Sequence, residues 1–170
     1  MMLEVVVEDD RWNTLGIEPL ATRAMQVALA HLDVDAAQAE VTMLACDDAR
    51  IATLNADFRG KPTATNVLSW PAKERGATTP GGAPQPPNPD PDGTIPLGDL
   101  ALAYQTCARE AEDAGIPMTQ HTTHLIVHGL LHLLGYDHET DADAALMEGL
   151  EVEILGKMGL DDPYRTSRAH

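Results

Sequence analysis

Three histidines within eleven residues form the part of this chain that is best suited to chemistry. His128 and His132 are four residues apart, so on an α-helix they project from one face about one turn apart, as a chelating pair requires. Gly135 can take the left-handed conformation that ends a helix, which lets the chain turn back and bring His138 to the same place. Three neutral nitrogen ligands and one open position are typical of a catalytic zinc site. We therefore predict that one Zn²⁺ ion binds to these three histidines.

A fourth histidine, His124, lies on the same helical stripe but does not fit the ligand set. His124 and His132 are about 12 Å apart along a helix axis, whereas zinc–nitrogen bonds are only about 2.1 Å long. We predict that His124 and His121 lie around the site or at the surface. A closed structural zinc site with four ligands is the alternative, and such sites usually include cysteine. Neither Cys46 nor Cys107 has a ligand-like spacing, although either can approach the site through the fold.

The spacing of the first two histidines also occurs in metalloproteases, where the motif is H-E-x-x-H and the glutamate is the general base. In this chain Gly129 follows His128, so the proteolytic base is missing from that position. Peptidase activity is therefore disfavoured. Activation of water remains available, because a bound metal ion can by itself lower the pKa of water to about 7.

A short basic segment, Arg59-Gly60-Lys61, is the second candidate for chemistry. A guanidinium group can hold a phosphate with two hydrogen bonds and stabilise the charge that develops during its transfer. We therefore predict that Arg59 is a catalytic residue, whereas Lys61 is better explained as a solvated loop charge. Three polar residues that follow can add contacts to a nucleic-acid backbone, namely Thr65, Asn66 and Ser69.

Two acidic residues near these segments have alternative interpretations. Asp137 precedes His138, so it can either orient an imidazole through the second ring nitrogen or cap the last helix. Asp99 is a polar residue within an apolar strand segment, so it is either structural or close to the site.

Length, charge and composition limit the class of protein. The chain has 170 residues, of which 44% are hydrophobic, so we expect one domain over residues 1–170. A net charge of −16 argues against general adhesion to nucleic acid, yet residues 59–75 carry four basic residues and one acidic residue. The two cysteines are isolated, and no signal peptide or membrane span is evident, so we predict a cytoplasmic protein that does not bind membranes.

Hydrophobic periodicity predicts the elements that must position these residues. Apolar, β-branched segments predict strands at residues 3–7, 41–45, 66–70 and 97–103, with the last two paired and the first at a sheet edge. Apolar spacings of three and four predict helices at residues 21–32, 48–57, 104–115, 117–134 and 141–158, the last capped by Asp141. Residues 71–96 are rich in proline and glycine and predict a long, exposed, flexible loop within the domain. The expected class is α/β (α+β), with a small mixed sheet of about four strands, about five helices and a zincin-like metal helix.

Several segments together resemble the YbeY family of endoribonucleases, which are metal-dependent maturation factors for ribosomal RNA. The similar segments span most of residues 40–165 and occur in the same order as in the family. They are Phe58-Arg59-Gly60-Lys61, Thr65-Asn66-Val67-Leu68-Ser69, Leu97-Gly98-Asp99-Leu100, the histidine segment 128–138 and Asp161-Asp162-Pro163-Tyr164.

The resemblance implies a zinc ion held by His128, His132 and His138, with Arg59 as a catalytic or RNA-positioning residue. It implies a mixed α/β fold and a substrate in the precursor of small-subunit ribosomal RNA, with a role in maturation of the 16S 3′ end and in ribosome quality control. The ribosome or small-subunit proteins are the implied partners, while the oligomeric state stays open.

The sequence therefore predicts a zinc-dependent endoribonuclease specific for single strands. Two alternatives from other classes stay open. One is a noncatalytic ribosome-assembly factor with a structural zinc, and the other is a metal hydrolase that acts on peptides or small molecules.

Overall fold

A four-stranded β-sheet with helices on both faces forms the core of the structure, a computed structural model that describes residues 2–77 and 79–164. The strands are β1 (Met2–Val7), β2 (Ala39–Cys46), β3 (Val67–Pro71) and β4 (Ile95–Ala103). The α-helices are α1 (Arg11–Leu15), α2 (Ile17–His31), α3 (Asp48–Arg59), α4 (Tyr104–Ala114), α5 (Met118–Leu133) and α6 (Asp141–Lys157). The expected mixed α/β class with four strands is confirmed.

The sheet is mixed, with the strand order β1-β2-β4-β3. β1 and β4 each pair in parallel with β2, whereas β3 runs antiparallel to β4. Val67 lies opposite Leu102, and Trp70 lies opposite Asp99, so the predicted pairing of these two segments is confirmed. β1 and β3 are the two edges, which also confirms the edge position expected for the first strand.

The two faces of the sheet carry hydrophobic clusters of different size. The larger cluster includes side chains of α2 and α5, and α5 also contacts α4 and α6. Because α5 has neighbours on all these sides, it is apolar nearly all round. The smaller cluster lies on the other face, where Ile51 of α3 is buried with Leu68 and Ala101.

The helices differ from the predicted ones in one additional helix, one start and one cap. The short helix α1 was not predicted, because its five residues are too few to show a hydrophobic period. α2 begins at Ile17 rather than at residue 21, since Gly16 (φ 79°) separates it from α1 and Pro19 is tolerated in its first turn. The prediction that Asp141 caps α6 is wrong, because the Thr140 hydroxyl accepts the backbone N–H of Asp143 at 3.1 Å.

The proline-rich segment between β3 and β4 is shorter and less exposed than predicted. Pro71 belongs to β3, and β4 already begins at Ile95, which leaves residues 72–94 as the loop. Arg75 in this loop is only 5% exposed, and its guanidinium donates to the carbonyl oxygens of Leu133 and Pro96, both at 3.3 Å. The prediction of exposure is therefore wrong at Arg75, because a cation at the C-terminal end of α5 is favoured by the carbonyl groups there.

Among the helices of the described chain, none combines the length and the apolar character needed to cross a lipid bilayer.

Candidate active site

Helix α5 and the turn after it bring the three predicted histidines together. The Nε2 atoms of His128 and His132, one helical turn apart, are separated by 3.1 Å. Gly135 has a φ of +103°, and its N–H donates to the carbonyl of His132 at 3.0 Å, which ends the helix. The chain then turns back, and one ligand atom from each of His128, His132 and His138 lies within 4.8 Å of the others.

The second ring nitrogens of the two helical histidines contact hydrogen-bond acceptors. Nδ1 of His128 lies 2.6 Å from a carboxylate oxygen of Glu151, and Nδ1 of His132 lies 3.0 Å from the carbonyl oxygen of Tyr136. Because these oxygens accept, each Nδ1 carries the proton and each Nε2 presents its lone pair. Two lone pairs that face each other at 3.1 Å repel unless a cation lies between them. The donor set therefore fits a metal ion, and imidazole nitrogen suits zinc among other divalent metals.

The environment of His132 keeps its imidazole neutral at physiological pH. Burial, together with the nearby His128 and His138, lowers the pKa of His132 to about 4. A neutral imidazole retains the lone pair that a metal ion needs.

Glu151 is a buried acid that the sequence interpretation did not identify. Its side chain is fully buried on α6, and it contacts His128, the His124 ring nitrogen at 3.5 Å and the hydroxyl of Tyr164, which donates to it. Burial alone would raise the pKa of Glu151, but the hydrogen bonds from His124 and His128 lower it to about 2. The signal in the sequence was a charged residue on the buried side of α6, where Met147, Ile154 and Leu155 are apolar.

His124 and Tyr164 complete this network outside the three predicted ligands. Nε2 of His124 lies 3.3 Å from the hydroxyl oxygen of Tyr164, and the two rings meet edge to face with centroids 5.5 Å apart. His124 therefore lies beside Glu151, as expected for a residue around the site. Burial and the neighbouring Glu151 carboxylate raise the pKa of Tyr164, so its hydroxyl stays protonated and continues to donate.

A cleft of about 570 Å³ contains the histidines and the predicted basic residue. His128, His132 and His138 line it, and so do Arg59 and Lys73 of the loop. Within residues 2–77 and 79–164, Arg59 forms no salt bridge or side-chain hydrogen bond, so its guanidinium is available to a ligand.

The turn that holds Arg59 is fixed by its own backbone. Gly60 (φ 70°) ends α3, and its N–H donates to the carbonyl of Ala56 at 3.0 Å. Asn55 is only 5% exposed, and its amide donates to the carbonyl of Thr63 at 3.0 Å. The end of α3 is therefore held at the edge of the cleft.

The predicted polar contacts beside Arg59 are only partly present in the cleft. Asn66 and Ser69 line it, whereas Thr65 lies outside its lining. The amide nitrogen of Asn66 donates to the Glu110 carboxylate at 3.0 Å, and the same carboxylate lies 2.9 Å from the His121 ring nitrogen. This network connects Asn66, just before β3, to α4 and α5.

The structure distinguishes between the alternative interpretations of the two acidic residues. Asp137 lines the cleft, and its carboxylate accepts the N–H of His138 at 2.6 Å. It does not cap α6, because Thr140 does. Asp99 is exposed on β4 and lies beside Glu4 and Glu40 over the sheet, outside the cleft lining. Of the alternatives for Asp99, proximity to the site is therefore wrong.

Gly129 faces the sheet rather than the cleft. A Cβ atom added at this position would lie 2.8 Å from Cδ2 of Leu100 and 3.4 Å from Cγ2 of Val67. A glutamate there would have to displace Leu100 and would point at the sheet, so this position is unsuited to the general base of the protease motif.

Comparisons with known proteins find similar chains over nearly the whole length. The family model described as Endoribonuclease YbeY matches residues 5–159. A relative named Endoribonuclease YbeY from Dinoroseobacter shibae is 61% identical over 164 residues, covering 96% of this chain and 91% of the relative. One with the same name from Ruegeria pomeroyi is 58% identical, covering 96% of this chain and 98% of the relative.

A solved structure supports the fold alone. The solution structure of TM1509 from Thermotoga maritima is similar with a TM-score of 0.55 and 18% identity, covering 92% of this chain and 91% of that one. The family match over nearly the whole length, together with the high identity to these relatives, leads to one conclusion. The chain belongs to the YbeY family of endoribonucleases.

Proposed function

We propose that this protein is a zinc-dependent endoribonuclease that cleaves single-stranded segments of the small-subunit ribosomal RNA precursor. The observation that carries the proposal is that three histidine nitrogens and the Arg59 guanidinium, which has no partner within residues 2–77 and 79–164, line one cleft. The names of its relatives support RNA as the substrate. Maturation of the 16S 3′ end, ribosome quality control and a cytoplasmic location belong to the same proposal.

The residues of the site have distinct tasks in this mechanism. His128, His132 and His138 would hold the zinc ion, which when bound supplies a Lewis acid and lowers the pKa of a coordinated water to about 7. Arg59 binds the phosphate through two hydrogen bonds and stabilises the negative charge that develops on it. Glu151 holds the proton on Nδ1 of His128, so that Nε2 keeps its lone pair.

Cleavage of a precursor ribosomal RNA fragment by three proteins tests this proposal. We expect the wild type to cleave, His132→Ala to lose both zinc and cleavage, and Arg59→Glu to lose cleavage while keeping its zinc. Removal of one charge-stabilising group typically costs about 10²–10³-fold in rate. Equal cleavage by all three proteins would show that the proposed site is not responsible.

The same proteins separate the two alternatives. A noncatalytic assembly factor with a structural zinc would bind ribosomal particles without cleaving RNA, even after metal is restored. A hydrolase of peptides or small molecules would keep its dependence on the histidines but would leave the RNA intact. Zinc content, measured on each purified protein, is the control that links any loss of cleavage to the metal.

A further inference from the structure

Phe58 is a large apolar side chain that the fold leaves in solvent. It is the only phenylalanine in the chain, and its residue is 64% exposed, although it lies on α3, whose other face contributes to the smaller hydrophobic cluster. Its ring contacts Trp70 of β3 edge to face, with centroids 5.5 Å apart. Even with this contact, most of the surface of the residue stays open to solvent.

The position of Phe58 relates it directly to the cleft. The next residue is Arg59, which lines the cleft, and Trp70 lies between two further lining residues, Ser69 and Pro71. Side chains alternate along a strand, so Trp70 points to the opposite face of β3 from these neighbours. Because β3 is an edge strand, no further strand lies beyond it, and a single strand that leaves the cleft past Arg59 can cross this edge to reach Phe58.

We propose that Phe58 is a binding site for one unpaired nucleobase next to the cleaved phosphodiester, with the base stacked on the phenylalanine ring. This inference rests on the proposed function and assigns a base-binding residue to the same site. Aromatic side chains bind unpaired bases by stacking, which tolerates every base because each has a π-face. A duplex cannot offer such a base, so the contact favours single strands.

Charge around Phe58 favours a nucleic acid as the ligand of this surface. Arg59 and Lys61 follow Phe58 directly in a chain whose net charge is −16. Proteins that bind single strands combine cationic groups along the backbone with aromatic platforms for the bases. Arg59 supplies the first and Phe58 the second, so a nucleotide can bind through its phosphate and base at once.

Affinity for a fluorescein-labelled single-stranded RNA, measured by anisotropy with the zinc-loaded full chain, tests the inference. We expect Phe58→Ala to bind about 5- to 150-fold more weakly than wild type, and Phe58→Trp to retain the affinity. Val6→Ala is the matched control, because Val6 is an exposed apolar residue, 41% exposed, on the other edge of the sheet. Thermal unfolding and zinc content of each variant confirm that the fold and the metal site are intact.

A second arm uses RNA in which one base at a time is replaced by an abasic nucleotide. With the base missing at the stacked position, we expect wild type and Phe58→Ala to bind equally, whereas abasic sites elsewhere preserve the difference. Equal affinities of the two proteins for the complete RNA would overturn the inference. It would also be overturned if Phe58→Ala bound more weakly than wild type to every abasic RNA, whatever the position of the missing base. If the wild type bound the RNA without cleaving it, the proposed hydrolysis would be contradicted. The comparison of wild type with Phe58→Ala would still test whether Phe58 binds a base.

Discussion

At the scale of single residues, Glu151 determines how His128 is presented. It is fully buried, and it is the acceptor that fixes the proton on Nδ1 of His128. It is itself held by the Tyr164 hydroxyl from a later part of the chain. The geometry of one predicted ligand therefore depends on two residues that lie 23 and 36 positions further along.

Loss of the Glu151 charge should weaken zinc binding. We expect Glu151→Gln to lower the affinity for zinc about 10- to 100-fold, as is typical when a carboxylate partner of a ligating histidine is removed. Competition with a chromophoric chelator measures this affinity. Glu153→Gln on the same helix is the control, because Glu153 is exposed and pairs with His31. Equal zinc affinities of the two variants would contradict the role given to Glu151.

The two cysteines should be unreactive in the folded protein. Burial raises the pKa of Cys107, and burial likewise raises the pKa of Cys46 to about 12. At pH 8 only about one Cys46 in ten thousand is then a thiolate, and the thiolate is the reactive form. We expect slow reaction with a disulfide reagent at pH 8 and fast reaction of both thiols in denaturant. Rapid labelling of the native protein would contradict this.

The same pKa shifts predict how stability depends on pH. Because folding raises the thiol pKa above its ordinary value of 9.0, the fold favours the neutral thiol. This contribution is complete below pH 9 and is lost as the pH rises toward 12, so alkaline unfolding curves should show the decline. Replacement of Cys46 by alanine should reduce that decline.

At the scale of elements, the turn after α5 connects the three predicted metal ligands to the proline-rich loop. Gly135 ends the helix with a positive φ, and a Cβ added there would lie 2.6 Å from the carbonyl oxygen of Arg75. The loop backbone therefore packs against the glycine that redirects the chain toward His138. Gly135 therefore both ends α5 and leaves room for the backbone of Arg75.

Substitution of this glycine should affect stability and zinc binding together. We expect Gly135→Ala to lower the free energy of unfolding by about 2 kcal/mol or more, from the left-handed backbone and the close approach to Arg75. Zinc affinity should fall too, because His138 moves with the turn. Gly156→Ala in α6 is the control, since an added Cβ meets nothing within 4 Å there. Urea unfolding of both metal-free proteins measures the difference, and similar curves would contradict the prediction.

Elements with a local signal were predictable, and those that depend on distant contacts were not. The histidine segment was recognisable because helical spacing and Gly135 are local features. Helix α1 was missed because its five residues are fixed by tertiary packing, with Trp12 fully buried. The burial of Arg75 was also missed, since its acceptors, Leu133 and Pro96, are 58 and 21 residues away.

At the scale of the whole molecule, charge is distributed unevenly. The net charge is −16, yet Arg59 and Lys73 line the cleft, and Lys61 follows at the same turn. Within residues 2–77 and 79–164, few cations therefore lie where they can neutralise phosphates of a bound RNA, and one of them, Lys73, also pairs with Asp90 at 2.8 Å. The local excess of basic residues is visible in the sequence. That residues 59 and 73 line the same cleft is visible only in the fold, because β3 lies between them along the chain.

This distribution predicts a weak dependence of RNA affinity on salt. About three phosphate contacts give a slope of roughly −2 for the logarithm of affinity against the logarithm of salt concentration with single strands. We expect Arg59→Ala to make the slope shallower by about 0.7. Lys157→Ala, in the last turn of α6, is the control and should leave the slope unchanged. A slope several times steeper would indicate general adhesion to nucleic acid.

The order in which the site residues occur along the chain has a consequence for protein synthesis. Arg59 and the whole sheet are complete by Ala103, whereas the three histidines begin at His128, and Glu151 and Tyr164 follow them. A nascent chain that has reached the end of β4 therefore contains Arg59 and Lys73 but none of the three predicted metal ligands. Because the proposed mechanism needs all three histidines, we expect a chain that stops at the end of β4 to bind no zinc at this site and to cleave no RNA until residues 128–138 have been made.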